Sequence, residues 1–240
     1  MNYKWDWGIL LKEPYFGWIW AGFGWTCAVA ILAWIIALSL GSVIGVMRTV
    51  PHPVPRAIGT AYVELFRNIP LLVQLFLWYF VVPEVVPREA GMFLKRGLPM
   101  PEFWTAVVCL GFYTASRVAE QVRSGINAIR LGQRQAALAM GLTLTQVYRY
   151  VLVPVSYRII IPPLTSDFLG VFKNSSLALT IGVIELTARS RQIEEYTFQG
   201  IEAFTAATIL YSLVTFAVMP LMHVTEQRTR IPGLISLEAK

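Results

Sequence analysis

Glu64 and Arg67 stand three residues apart in "AYVELFRNIPLLVQLFLWYFVV", a stretch otherwise rich in apolar residues. Arg117, Glu120 and Arg123 repeat that spacing in a second apolar stretch, Asp167 follows Pro162 and Pro163 in a third, and Lys173 opens "KNSSLALTIG". Opposite charges three residues apart share a helix face and can neutralise each other. An ionisable group in an apolar helix usually faces protein or water, which is where a charged solute would pass. Glu64 and Arg67 therefore read either as a structural ion pair or as a gate of a pathway. Gln74, deeper in the same stretch, carries an amide that needs a partner, either in the packing or along a pathway. Arg117, Glu120 and Arg123 read as a structural network. None of this is catalytic: no nucleophile–base set stands out, and the patterns CxxC, HExxH and GxxxxGK[ST] are absent. Cys27 and Cys109 lie in apolar runs and read as small buried hydrophobes. His52 and His223 sit singly at the ends of apolar runs and form no metal site.

The elements that hold these groups follow from composition. Of 240 residues, 56% are hydrophobic and only 14% charged, and the mean hydropathy is +0.57. A soluble domain carries about 25% charge. Spanning a bilayer requires helices or a closed barrel, and the long apolar runs do not alternate as barrel strands do. The expectation is an all-α membrane protein with five spans, one compact helical unit over residues 1–240. The spans are placed at Gly24–Met47, at 58–82 with an interruption at Pro70, at 103–122, at 151–172 broken by Pro154, Pro162 and Pro163, and at 201–224. Residues 1–20 read as an interfacial segment, with Trp5, Trp7, Trp18 and Trp20 at headgroup level. Residues 48–56 and 83–102, rich in proline, read as loops. Gly41 and Gly45 form a small-xxx-small pair, either a close-packing site or ordinary glycine enrichment.

The net charge of +6 is spread between the spans, so it reports topology and not nucleic acid. With the N-terminus outside, residues 48–67, 117–158 and the tail face the cytoplasm. These hold twelve of the twenty basic residues against Glu64, Glu120, Glu226 and Glu238. The positive-inside rule then favours an external N-terminus and a cytoplasmic C-terminus. The stretch "RQAALAMGLTLTQVYRYVLVP", Arg134–Pro154, falls on the cytoplasmic side as a short helix interrupted at Gly141. Ala136, Ala137 and Met140 are placed on one face, and Gln133, Gln135 and Gln146 interrupt its apolar pattern. It reads as an amphipathic helix lying on lipid or as a docking helix for a cytoplasmic partner.

The spacing in this stretch resembles a family signature. Gln135-Ala136-Ala137, three residues, Gly141, nine residues, and Val151-x-Val153-Pro154 match the Glu-Ala-Ala…Gly…Ile-x-Leu-Pro loop of permeases in binding-protein-dependent ABC importers. Gln135 replaces the usual acid, and two valines replace other aliphatics. "YVELFRNIPLLVQLF" and "KNSSLALTIG" resemble the polar amino-acid subfamily. "WDWGILL", "GWIWAGF", "RTVP" and "FLWYFVVPEVVP" resemble one permease subunit of bacterial glutamate/aspartate importers. The resemblance implies a five-helix transmembrane domain in the inner membrane, with a coupling helix at about 131–150 that seats in an ATPase subunit. It implies a related permease subunit, two ATPases that carry the ATP and magnesium, and a periplasmic amino-acid-binding protein; this chain itself would hold no cofactor. Glutamate or aspartate would cross by alternating access. Another polar amino acid such as glutamine, or a secondary transporter, is the alternative. Lys173, Asn174 and Ser175 would lie near the central cavity, where Lys173 either meets a substrate carboxylate or snorkels to the interface. Asp167 would repel an acidic substrate, so pairing with a base or with Ser166 and nearby backbone is expected of it.

Overall fold

The chain is described here by a computed structural model covering residues 3–229; Arg230, Glu238 and Lys240, counted in the charge asymmetry, lie outside the described residues. Among those residues every regular element is helical. They are α1 (Tyr15–Met47), α2 (Pro53–Asn68), α3 (Leu71–Phe76), α4 (Val82–Val85), α5 (Arg88–Met92), α6 (Pro101–Asn127), α7 (Leu131–Ala139), α8 (Leu144–Val147), α9 (Val153–Ser175), α10 (Leu186–Thr197) and α11 (Gly200–Thr229). Single π-turns, Leu77–Val81, Phe93–Gly97 and Tyr148–Leu152, follow α3, α5 and α8, and 3₁₀ turns occupy Trp7–Leu11 and Ser176–Ile181.

By length and composition, α1 and α11 can each cross a bilayer, and two bent pairs raise the number to four: α2 with Leu71–Val85, and Leu144–Ile181 with α10. The expected third span, α6, is a helix of 27 residues. That is about 40 Å, beyond the roughly 30 Å hydrocarbon core. It carries Arg117, Glu120 and Arg123 and is not among those four candidates.

Several boundaries differ from expectation. α1 begins nine residues before Gly24 and takes in Trp18 and Trp20, because Ile19 is buried among Leu186, Ile193, Ala203 and Ala207. α2 starts at Pro53 and not near Ile58. Pro53 and Pro55 fit its first turn, where the backbone N–H groups have no intrahelical acceptor anyway. Residues 83–102 are largely helical, with Pro83 in the first turn of α4 and Pro87 capping α5. Pro70 breaks the chain as expected. α9 carries Pro162 and Pro163 without being divided; a missing donor bends a helix and need not end it. The turn comes later, at Gly182 (φ +98°), a conformation glycine adopts without penalty.

The helices form two compact units. The first comprises the chain up to Ile35, Ile69–Gly111 and Leu169–Phe216. Its core joins α1, α10 and α11 through Ile19, Leu186, Ile193, Ala203 and Ala207, with Tyr15 and Trp18 packed against them. The second comprises Ile36–Asn68, Phe112–Phe168 and the chain from Ala217. Here Ile44, Val63 and Ala119 join α1, α2 and α6. Gly41 and Gly45 bring α1 onto α6. A Cβ on Gly41 would lie 2.7 Å from the Ala115 carbonyl, and one on Gly45 would lie 2.6 Å from Val122 Cβ. The pair is a close-packing site.

Candidate functional site

The loop after α6 is built by capping chemistry. Arg130 precedes α7, which ends at Ala139. Gly141 takes φ +85°; its N–H donates to the Leu138 carbonyl (3.0 Å), and the Leu142 N–H donates to the Ala137 carbonyl (3.3 Å). This is a Schellman turn, which needs a left-handed residue at the position Gly141 holds. The next helix starts two residues on. Thr143 Oγ1 accepts from the Gln146 N–H (3.3 Å), and Gln146 Oε1 accepts from the Thr143 N–H (2.8 Å). Gln146 is thus committed to a capping box and does not belong to the polar pattern of the preceding helix. Tyr148–Leu152 then widens into a π-turn before Pro154, the second residue of α9. That accommodates the lost N–H and the crowding a proline imposes one turn back.

Ala136, Ala137 and Met140 do not share a face as expected. Ala137 is buried at 2% exposure, while Gln135 and Ala136 are exposed and Met140 is 77% exposed. Successive residues are about 100° apart around a helix, so Ala137 points into the protein where Ala136 points out. Leu131 (73%) and Leu138 add to the exposed apolar surface. The loop is anchored within its own unit: Tyr148 Oη donates to the Thr49 carbonyl (2.8 Å), the Ser42 and Tyr157 hydroxyls are hydrogen-bonded, and a Cβ on Gly125 would meet Ile160.

The charged groups of the second unit pair differently from their sequence spacing. Glu120 accepts from Arg48 Nη1 (2.5 Å) and from Arg123 Nε (3.1 Å). Arg117 leaves that cluster, and its Nε donates to Asp167 Oδ1 at 2.7 Å. Asp167 therefore has the basic partner expected of it, while its buried Oδ2 has no hydrogen-bond partner among the described residues. Glu64 and Arg67 are both exposed on α2, and no ion pair joins them. Their structural-pair reading is therefore not borne out.

In the first unit, Gln74 is buried, and its Nε2 donates to the Ile69 carbonyl (2.8 Å). Its amide covers a carbonyl at the Pro70 break. Lys173 is exposed and lines a recess of about 380 Å³ with Thr208, Tyr211, Ser212, Thr215 and Phe216 of α11. Asn174 is half-buried, and Ser175 is buried with its hydroxyl donating to the Phe172 carbonyl (2.7 Å). Only Lys173 of that trio lines the recess.

Sequence reasoning missed Glu185. Its side chain is fully buried at the N-terminus of α10 and accepts from the Ala188 N–H (2.8 Å), the Thr187 N–H (3.0 Å), Tyr211 Oη (2.8 Å) and Thr26 Oγ1 (3.3 Å). Thr26 Oγ1 in turn accepts from the Leu186 N–H (3.1 Å). Tyr211 thus joins this network to the Lys173 recess. A lone acid in "IGVIEL" was the available signal, since such a group needs partners.

A family model, the inner membrane component of binding-protein-dependent transport systems, matches residues 37–231. The glutamate/aspartate import permease protein GltJ of Escherichia coli strain K12 is 47% identical over 241 residues, covering 97% of this chain and 98% of that protein. The probable amino-acid ABC transporter permease protein PatM of Vibrio harveyi is 33% identical, over 78% of this chain and 81% of its own. The crystal structure of an amino acid ABC transporter with histidines is similar with a TM-score of 0.79 at 27% identity, covering 94% of this chain and 100% of that one. An inward-facing structure of the MetNI methionine ABC transporter has a TM-score of 0.73 at 19% identity, over 92% of this chain and 100% of its own, a likeness of fold.

Proposed function

The chain belongs to the inner-membrane components of binding-protein-dependent transport systems, and on that premise we propose that it is a permease subunit importing glutamate and aspartate. Membership makes it a multi-pass inner-membrane permease that works with a binding protein and an ATPase. The secondary-transporter alternative has no support beside it. Identity of 47% to a glutamate/aspartate import permease over 97% of the chain carries the substrate assignment.

In this reading a related permease subunit completes the pathway, two ATPases bind ATP and magnesium, and a periplasmic protein delivers the amino acid. The N-terminus is periplasmic and the C-terminus cytoplasmic. The single permease domain couples to the ATPase through Gln135, Ala136, Ala137, Gly141 and Pro154. Support comes from the exposed apolar surface of α7, ended by a rigid glycine turn. A short helix ended by a fixed turn transmits displacement, where a flexible loop would absorb it. Gln135 keeps a hydrogen-bonding head but not the charge of the usual acid. Glu64, Arg67, Gln74, Lys173, Asn174 and Ser175 are assigned to the pathway or its gate. Among them Lys173 has the geometry to meet a carboxylate, as the cation beside a row of α11 hydroxyls.

The test is uptake into vesicles holding the purified complex, with the binding protein and ATP inside the correct compartments. Glutamate and aspartate are expected to accumulate and glutamine to lag by tenfold or more. Preferential glutamine uptake would move the assignment to another polar amino acid.

A further inference from the structure

A cleft of about 460 Å³ opens in the first unit between the end of the Leu71–Val85 segment and the start of α6. We propose that it binds an anionic phospholipid, with an acyl chain inside and the phosphate on Lys95 and Arg96. The inference is independent of which amino acid is carried.

The lining is apolar: Trp78, Phe80, Leu94, Trp104 and Val108 form much of it. Thr105 also lines it, but its hydroxyl donates to the Pro101 carbonyl (2.8 Å) and is spent within α6. The volume lies within the roughly 300–1,000 Å³ of small-molecule sites. Two of the three π-turns supply its walls, Leu77–Val81 through Trp78 and Phe80, and Phe93–Gly97 through Leu94, Lys95 and Arg96. A π-turn widens a helix by one residue and recurs at functional sites.

The rim decides the occupant. Lys95 pairs with Glu84. Arg96, and Arg88 in the adjoining recess, have no carboxylate partner among the described residues. Three cations against one carboxylate leave the rim positive. Glu89, on α5, lines neither recess. Beside this rim Met92 and Phe93 are more than half exposed, as apolar anchors of an interfacial segment are. Tryptophan near cations marks the headgroup level of a membrane protein. A carbon-lined cleft with a basic mouth at that level fits an acyl chain and a phosphate.

The test is native mass spectrometry of the full-length chain with the subunits that co-purify, in detergent titrated with phosphatidylglycerol or phosphatidylethanolamine. The wild type is expected to retain phosphatidylglycerol at about tenfold lower lipid, and Lys95→Ala with Arg96→Ala to lose about that tenfold. Lys95→Arg with Arg96→Lys keeps both charges and is expected to keep the preference. Equal retention of the two lipids by the wild type, or an alanine pair that still prefers phosphatidylglycerol, overturns the proposal. Should the alanine pair not assemble, bromine-labelled phosphatidylglycerol decides the matter in the otherwise native chain. It must quench tryptophan fluorescence less in Trp104→Phe with Trp78→Phe, and unchanged quenching rejects the acyl chain. A disulfide from Arg96→Cys to the same position in a second permease chain would make the cleft a subunit contact and reject the lipid.

Discussion

At the scale of single residues, backbone conformation and charge make separate demands. Beyond its two chain neighbours, no described atom lies within 4 Å of where a Cβ on Gly141 would sit, yet its φ of +85° strains any other residue. Gly141→Ala is expected to cost the loop about 1 kcal/mol. Gly141→Leu adds bulk on the exposed side, so the chain should insert normally while recovery of the ATPase in a pull-down falls severalfold. Normal recovery with normal uptake would remove the docking role from this turn. Lys173 makes the opposite demand, since its backbone is ordinary and only its charge matters. A charge-assisted hydrogen bond contributes about 1.5–3 kcal/mol, so Lys173→Met should cut uptake by tenfold or more with assembly intact, and Lys173→Arg should do less harm. Uptake by Lys173→Met at the native rate would leave the lysine at the interface.

At the scale of elements, the network around Glu185 shows how α10 is held. One carboxylate serves two backbone N–H groups at the start of the helix, a tyrosine from α11 and a threonine from α1. Glu185→Ala leaves all four donors without that acceptor in a buried site. At about 1–3 kcal/mol for an unsatisfied buried group, a loss of about 3 kcal/mol or more is expected, read as a lowered midpoint of thermal unfolding of the detergent-purified complex. Glu185→Gln keeps an acceptor oxygen and should cost less; equal damage from both would assign the effect to the charge alone. None of this was legible beforehand, because residues 26, 185 and 211 share no period and meet only through packing. The features that were legible are those set by neighbouring residues: the break at Pro70 and the turn at Gly141. At Gly41 and Gly45 the spacing offered close packing as one of two readings, and it did not name α6 as the partner. The start of α1 was misread for the same reason. Tyr15–Trp20 has an interfacial composition, and only the burial of Ile19 against Leu186 and Ile193 draws it into the long helix. Arg117 likewise has Glu120 at the right spacing, but the partner fifty residues away holds it.

At the scale of the whole molecule, the number of crossings and the sidedness of the ends are one question. Among the described residues two helices and two bent pairs make four candidate spans, and four would return both ends of the chain to the same side. The opposite placement requires α6 to cross as well. Its length permits this, and its charges do not forbid it: Glu120 is neutralised by Arg48 and Arg123, and Arg117 by Asp167. Charges paired in this way are the ones a span tolerates. The basic residues of 117–158 then lie at or beyond the cytoplasmic end of α6, where the positive-inside rule wants them. Asn2→Cys and Ser236→Cys, each introduced alone with Cys27→Ala and Cys109→Ala, report the outcome through an impermeant thiol reagent applied to intact cells. Position 2 is expected to label directly, and position 236 only after the inner membrane is opened. Labelling of 236 alone reverses the orientation. Labelling of both, or of neither, puts the ends on one side and means that α6 does not cross.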